Sequence, residues 1–212
     1  MTPEERSALH AQRSAEIRGW GYRLLCGIDE VGRGALAGPV AAGAVVLDAP
    51  LDLLGVDDSK RLTPLQRRRL APRIRARAAA AVVGYAAPRE IDRLGIVAAT
   101  QIAMHRALAQ LGLRPDHLLL DAFLLPDCDL PQIARPKGDQ LYAEVAAASI
   151  LAKVERDALM QRIAQEFPAY GWERNKGYGS AEHVAAIGAQ GLSPWHRRTF
   201  CAALGTPAAA GE

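Results

Sequence analysis

Four acidic residues in this chain stand where an apolar run stops. Asp29 and Glu30 follow LLCGI, Asp121 follows LLL, and Asp139 closes QIARPKGD. If the ends of those runs lie side by side, four carboxylates share one small volume. Left alone they repel one another, and their pKa values rise. A hard divalent cation removes that conflict, and oxygen ligands of this kind select Mg²⁺ or Mn²⁺ over softer metals. Two such ions close together form the clamp used for phosphodiester hydrolysis: one prepares the attacking water and the other stabilises the departing oxygen. The plainer account makes each acid a turn or N-cap residue, as expected for Asp57, Asp58, Asp116, Asp127 and Asp129. Adjacent Asp29 and Glu30 resist it. Strand neighbours point to opposite faces, so both can serve one site only at a strand end or bulge.

Other residues have the chemistry to hold a sugar-phosphate chain. Gly32, Arg33 and Gly34 offer backbone N–H groups that can approach a ribose or phosphate closely, although GRG is equally an ordinary turn. Lys60, in DSK, could place an ammonium near a phosphate or simply sit in a solvated loop. Seven arginines lie between Arg61 and Arg77; backbone binding is possible for them, and a solvated helix face accounts for most. Ser149 and Lys153 are four apart, on one face of a helix. Lys153 and Asp157 share that spacing, so a local salt bridge competes. Tyr178 lies between glycines in NKGYGS, able to stack on a sugar or base or to pack within its loop.

The elements that must position these groups can be read from periodicity. YRLLCGID and VAAGAVVL read as two strands joined across the glycine stretch, and AVVGYAAP as a third. Thr63 and Pro64 open a helix as N-cap and first residue, and Pro72 is expected to break or kink it. GIVAATQIAMHRALAQLG has helical spacing and closes on Gly112. HLLLDAF is a short buried strand and QIARPKGD a weaker one. A long alanine-rich helix runs from Gln140 to about Glu166, before Pro168. Two short helices follow, with Ser180 and Ser193 as expected N-caps. Three strands in succession, then helix–strand alternation, predict a mixed α/β sheet with helices on both faces and a helical C-terminal region. Ligand sites in such sheets gather at strand ends, where the acids fall.

Half of the 212 residues are apolar, enough for one domain with a sizeable core. No apolar run is long enough for a membrane span, and the charged N-terminus lacks the core of a signal peptide. Three scattered cysteines argue against a disulfide framework and fit a reducing cytoplasm. A net charge of +3 permits a nucleic-acid partner without requiring one.

Taken together, GIDEVGRGALAGPV, DDSKRL, LLLDAF, KGDQLYAEVAAASILAKVERDALM, YGWERNKGYGSAEH and SPWHRRTF resemble bacterial ribonuclease HII in order and spacing, from about Leu25 to Phe200. The resemblance implies a ribonuclease H-like fold: a five-stranded mixed sheet flanked by helices, with a C-terminal helical extension over about 167–200. Residues 1–20 would form an N-terminal arm or helix, 21–200 the catalytic domain, and 201–212 a flexible tail. It implies cleavage of the RNA strand of RNA–DNA hybrids and nicking of duplex DNA on the 5′ side of an embedded ribonucleotide. The family's four metal-binding carboxylates map onto Asp29, Glu30, Asp121 and Asp139, with Mg²⁺ or Mn²⁺ as cofactor and two ions during catalysis. Asp157 is then structural. Gly32, Arg33 and Gly34 match the segment whose backbone reads the 2′-OH at the RNA-to-DNA junction. Tyr178 matches the tyrosine that stacks on its deoxyribose side. Lys60, Ser149 and Lys153 fall where phosphate contacts are expected. Ala35 stands where proline is frequent, Ala122 where glycine is, and a bulky Tyr142 opens the long helix; none removes a ligand.

Three competing assignments remain. Ribonuclease HIII shares the acids but carries an N-terminal substrate-binding domain, for which about 20 residues before the first strand are too few. A non-catalytic hybrid binder is disfavoured by the complete set of acids. An unrelated Mg²⁺-dependent phosphohydrolase of small esters is disfavoured by the ordered motifs. A monomer is expected.

Overall fold

The computed structural model describes residues 2–48, 59 and 61–204. A helix, α1 (Pro3–Arg18), precedes strands β1 (Leu25–Val31) and β2 (Val40–Leu47). Then come α2 (Pro64–Arg77), β3 (Ala80–Ala86), α3 (Pro88–Gln110), β4 (His117–Asp121), β5 (Gln132–Arg135) and the long α4 (Ala143–Glu166). Short helices α5 (Trp172–Asn175), α6 (Ala181–Gln190) and α7 (Arg198–Cys201) finish the described chain. The five strands form one mixed sheet in the order β3-β2-β1-β4-β5, antiparallel on the β3 side of β1 and parallel on the β4 side. No helix among the described residues is long and apolar enough to cross a membrane.

Alternation along the strands assigns the faces. Cys26 and Ile28 of β1, with Val40, Ala42, Ala44 and Val46 of β2, pack against α3. The other face takes α4, with Val45 and Leu47 facing α2 and α4, and Leu25 and Leu119 facing α1 and α4. Gly27 and Gly43 let α4 lie directly on the sheet; a Cβ on either would stand 2.0 or 2.3 Å from its backbone. A separate apolar cluster joins the far half of α4 to the C-terminal helices through Met160, Ile163, Tyr170, Trp172 and Ile187.

Local signals explain most boundaries, and four expectations need correction. Thr63 and Gln66 form the capping box of α2, but Pro72 does not break that helix. Pro72 is exposed, so the carbonyl it leaves without a donor faces water. The helix expected from Gly95 is present: Gly95, at φ 80° and ψ 162°, separates it from a short helical segment that begins at Pro88. The last strand ends at Arg135, and Asp139 lies beyond it in a one-turn 3₁₀ helix. Ser180 caps α6, whereas Ser193 caps no helix: its hydroxyl accepts from Trp195 N in a turn. The chain beyond Phe200 stays packed at Cys201, which is buried; residues 205–212 of the expected tail lie outside the described residues. All three cysteines are free.

Candidate active site

The register of the central strands brings the acids together. Parallel pairing of β1 with β4 sets Ile28 beside Leu120, so the next step carries Asp29 toward Asp121. Both side chains fall on the α4 face, like Leu25 and Leu119. Asp139 reaches the same place by a different device. Lys137 adopts φ 62°, and Gly138 packs on the Leu120 carbonyl, where a Cβ would sit 2.9 Å away. Gly138 N–H then donates to Asp121 Oδ1 at 2.9 Å, which ties the one-turn helix to the end of β4. Ala122, after Asp121, has φ 64°, the left-handed conformation that glycine takes at least cost. Glu30 points to the opposite side of β1 but stands at its mouth, where its backbone N–H donates to Asp29 Oδ1 at 2.8 Å.

The acids of the cluster act on one another. Burial raises the Asp29 pKa well above the usual carboxylate range, with Glu30 adding to it, and Asp121 and Asp139 contributing in turn. A hydrogen bond from Ser149 opposes the rise. Burial also raises Glu30, against the hydrogen bond and charge of Arg33, whose Nη1 lies 3.2 Å from Glu30 Oε1. The second oxygen, Glu30 Oε2, is buried with no hydrogen-bond partner. Hard oxygen donors, mutual repulsion and an orphaned carboxylate oxygen are the conditions that a divalent cation relieves. Among the described residues, no group of three or more acidic, histidine or cysteine side chains yet surrounds a common point as a finished metal site. The acids fit a cation chemically, and their side chains would have to turn toward it.

Ser149 lies beneath Asp29. It is 5% exposed, and its Oγ is 2.8 Å from Ser59 Oγ. Either hydroxyl of that pair can donate. The side chain is thus buried against Ser59, and it lowers the Asp29 pKa. Lys153 pairs with Asp157 at 2.8 Å, the local salt bridge that its spacing allowed. Lys60 lies outside the described residues.

The glycine loop is fixed through its carbonyls. Arg156, fully buried on α4, donates to the carbonyls of Pro39, Lys176 and Ala37 at 2.8, 3.0 and 3.1 Å. Arg197, also fully buried, donates to Gly38 at 3.0 Å and Arg33 at 2.8 Å. Burial depresses the Arg197 pKa to about 9, with the nearby Arg156 charge adding to the effect, and the group stays charged at neutral pH. Gly32 needs its glycine twice over: φ is 89°, and a Cβ would meet Arg156 Nε at 2.2 Å. The N–H groups of Gly32, Arg33 and Gly34 donate to no acceptor among the described residues, whereas the Gly32 carbonyl accepts from Ala35 and the Arg33 carbonyl from Arg197. Gly177 bridges to this loop by accepting from Leu36 and Ala37 at 2.8 and 3.1 Å. That bridge brings Tyr178 alongside. Its ring is 36% exposed, with Lys153 Nζ 5.7 Å and Arg156 Cζ 5.5 Å from the centroid. Beyond Lys153, a cleft of about 300 Å³ separates α2, α4 and α5 and is lined by Arg67, Arg68, Arg174 and Lys176.

Sequence reasoning missed Arg156 and Arg197. Arg156 carries a readable signal: it sits at four-residue spacing between buried Ala152 and Met160, a charge on an apolar helix face. Arg197, in WHRRTF, has no such signal.

A mixed five-stranded sheet with acids at the ends of its two central strands defines the ribonuclease H-like class of metal-dependent nucleases. Within that class the chain belongs to the ribonuclease HII family, whose model matches residues 26–203. It is 49% identical over 180 residues to a ribonuclease HII of Desulfitobacterium hafniense, covering 85% of this chain and 69% of the relative. It is 52% identical over 183 residues to that of a Synechococcus species, covering 85% and 82%. The crystal structure of ribonuclease H2 from Pyrococcus horikoshii superposes with a TM-score of 0.70 at 28% identity, over 85% of this chain and 96% of that one. The protein is therefore a metal-dependent endoribonuclease that cleaves the RNA strand of RNA–DNA hybrids.

Proposed function

We propose that this enzyme also nicks duplex DNA on the 5′ side of an embedded ribonucleotide, leaving a 3′-OH and a 5′-phosphate. The observation that carries this reading is the juxtaposition of a cluster of acids that raise one another's pKa values with a loop whose three consecutive N–H groups have no acceptor among the described residues. Asp29, Glu30, Asp121 and Asp139 would hold two Mg²⁺ or Mn²⁺ ions. Bound there, such ions supply charge neutralisation at the scissile phosphate and activation of water. The chain's own residues supply the rest. Ser149 keeps Asp29 oriented and acts on the phosphate only through it. Gly32, Arg33 and Gly34 offer N–H donors to the 2′-hydroxyl, which RNA has and DNA lacks. Arg33 reads through its backbone, because its side chain is engaged with Glu30 and lies over Phe123, 5.6 Å from the ring centroid. Tyr178 stacks on the sugar of the DNA-side neighbour. Lys153, and Lys60 where it reaches the strand, meet the adjacent phosphates. The substrate backbone continues into the basic cleft beside Arg68 and Lys176. Base edges take little part, so sequence preference is weak. The enzyme is expected to act in the cytoplasm, as a monomer.

The test uses a DNA duplex carrying one ribonucleotide, the same duplex without it, and analysis of product ends with and without Mg²⁺. Nicking should require the ribonucleotide and the cation. Asp29→Asn, which preserves shape and removes charge, should lower the rate on the order of 10²-fold or more. Equal cleavage of both duplexes, or wild-type nicking by Asp29→Asn, would contradict the reading.

A further inference from the structure

His183 and His196 lie outside the acid cluster and outside the loops that meet the substrate, yet both are buried, at 0% and 2% exposure. Their hydrogen bonds admit one arrangement of protons. His196 Nδ1 is 2.9 Å from Ser193 N, which can only donate, so Nδ1 is bare and the proton sits on Nε2. His183 Nδ1 is 2.9 Å from the Tyr178 carbonyl, which can only accept, so Nδ1 carries the proton there. His183 Nε2 is then the acceptor, and two donors meet it: Trp172 Nε1–H at 2.9 Å and His196 Nε2–H at 3.1 Å. Every polar atom of both rings is used. A charge on either ring would set donor against donor.

The chain of bonds runs from the Ser193 backbone through His196 and His183 to one end point, the carbonyl of Tyr178. That carbonyl also accepts from Ser180 N at 2.8 Å, and the Tyr178 N–H donates to Asn175 at 3.0 Å. The peptide groups on both sides of Tyr178 are thereby fixed. The ring, projecting into solvent, inherits its direction from them. We propose that His183 and His196 are positioning residues: a neutral two-histidine relay, anchored on the Trp172 core, that aims Tyr178 at the sugar beside the cleaved phosphate. The proposal rests on the reading of Tyr178 given above. It assigns the WHRRTF turn a second task beyond Arg197, because His196 delivers the C-terminal turn's order to the Tyr178 loop.

Two amide variants separate aiming from mere stability. In His183→Asn the side-chain amide lies near the old Nδ1 and can still donate to the Tyr178 carbonyl. In His183→Gln it lies near the old Nε2, and the carbonyl loses that donor. Each is assayed on a duplex with one embedded ribonucleotide and on a continuous RNA–DNA hybrid, which presents no deoxyribose next to most cleavage points. His183→Gln should lose about tenfold or more in kcat/KM on the embedded substrate, and clearly less on the hybrid, while His183→Asn restores most of the loss. Equal losses on both substrates, or equal behaviour of the two variants, overturns the positioning role. Nitrogen-15 NMR of the unmodified protein should show His183 protonated at Nδ1 and His196 at Nε2; the reverse tautomer at either ring overturns the relay itself, even if a variant fails to fold. Tyr178→Ala cleaving the embedded substrate at the parent rate removes the sugar-stacking reading and the positioning role with it, and the tautomers would be unaffected.

Discussion

At the end of β1, Asp29 lies within electrostatic reach of Glu30, Asp121 and Asp139, and Arg33 donates a hydrogen bond to Glu30. A short distance along the same chain, two buried guanidiniums converge on the glycine loop and send their hydrogen bonds to carbonyls. The first region carries mutually repelling carboxylates and an orphaned oxygen, features that a bound cation would relieve. The second spreads its positive charge over five backbone acceptors, with Arg197 Nη2 buried and without a partner among the described residues. On the proposed function the labour would divide accordingly: the acids would take the cation, and the arginines would keep the loop's N–H groups facing outward for a hydroxyl.

The comparison can be broken from the arginine side. Arg156→Met removes donors from three carbonyls, each costing roughly 1–3 kcal/mol when left unsatisfied, partly offset by the guanidinium's own desolvation. A net loss of about 3 kcal/mol is expected, seen as a lower urea midpoint at unchanged slope. A variant as stable as the parent would show that the loop does not depend on this clamp.

From the acid side, the test is linkage. Asp29 and Glu30 both have raised pKa values in the folded state, so folding favours their protonated forms. The stability this contributes is full below the ordinary carboxylate range and is lost as pH rises through the raised values. The melting temperature of cation-free protein should therefore fall over that rise. Mn²⁺ or Mg²⁺ should restore it most on the alkaline side, by about 2.7 kcal/mol at a hundredfold excess over Kd. A cation effect independent of pH would separate ion binding from these acids.

The smallest effect sharpens the boundary between the regions. Ser149→Ala removes the hydroxyl that holds Asp29 and leaves Ser59 facing a methyl group. Calorimetric titration with Mn²⁺ should show binding weakened about tenfold, the range found when a ligand's supporting hydrogen bond is lost. Unchanged affinity would mean that the packing of β1 on α4 orients Asp29 without help.

Much of the fold was legible because its signals are local. Apolar runs marked the strands, Thr63 marked a helix start, and Asp29 and Asp121 were read at strand ends. Pro72 misled because a local breaker acts through its surroundings: it spends its lost bond on the solvent side. Asp139 was found as a residue and misplaced as an element, since a left-handed Lys137 and a sterically locked Gly138 have no periodicity to read. The resemblance put Ser149 where a phosphate contact is expected, and only the packing of α4 on the sheet shows that it is buried against Ser59.

By itself the sequence determined which atoms can do chemistry: four carboxylates at the ends of apolar runs, three loop residues with accessible backbone, and a tyrosine between glycines. Those are properties of residue type and neighbour. Tertiary structure alone decided their partners. The acids meet through parallel register between β1 and β4, which are separated by two strands and two helices along the chain. The glycine loop's carbonyls are taken by Arg156 and Arg197, 117 to 164 residues away. Hydrogen bonds and charges act over a few Å of space with no regard to chain distance, so folding had to supply those contacts.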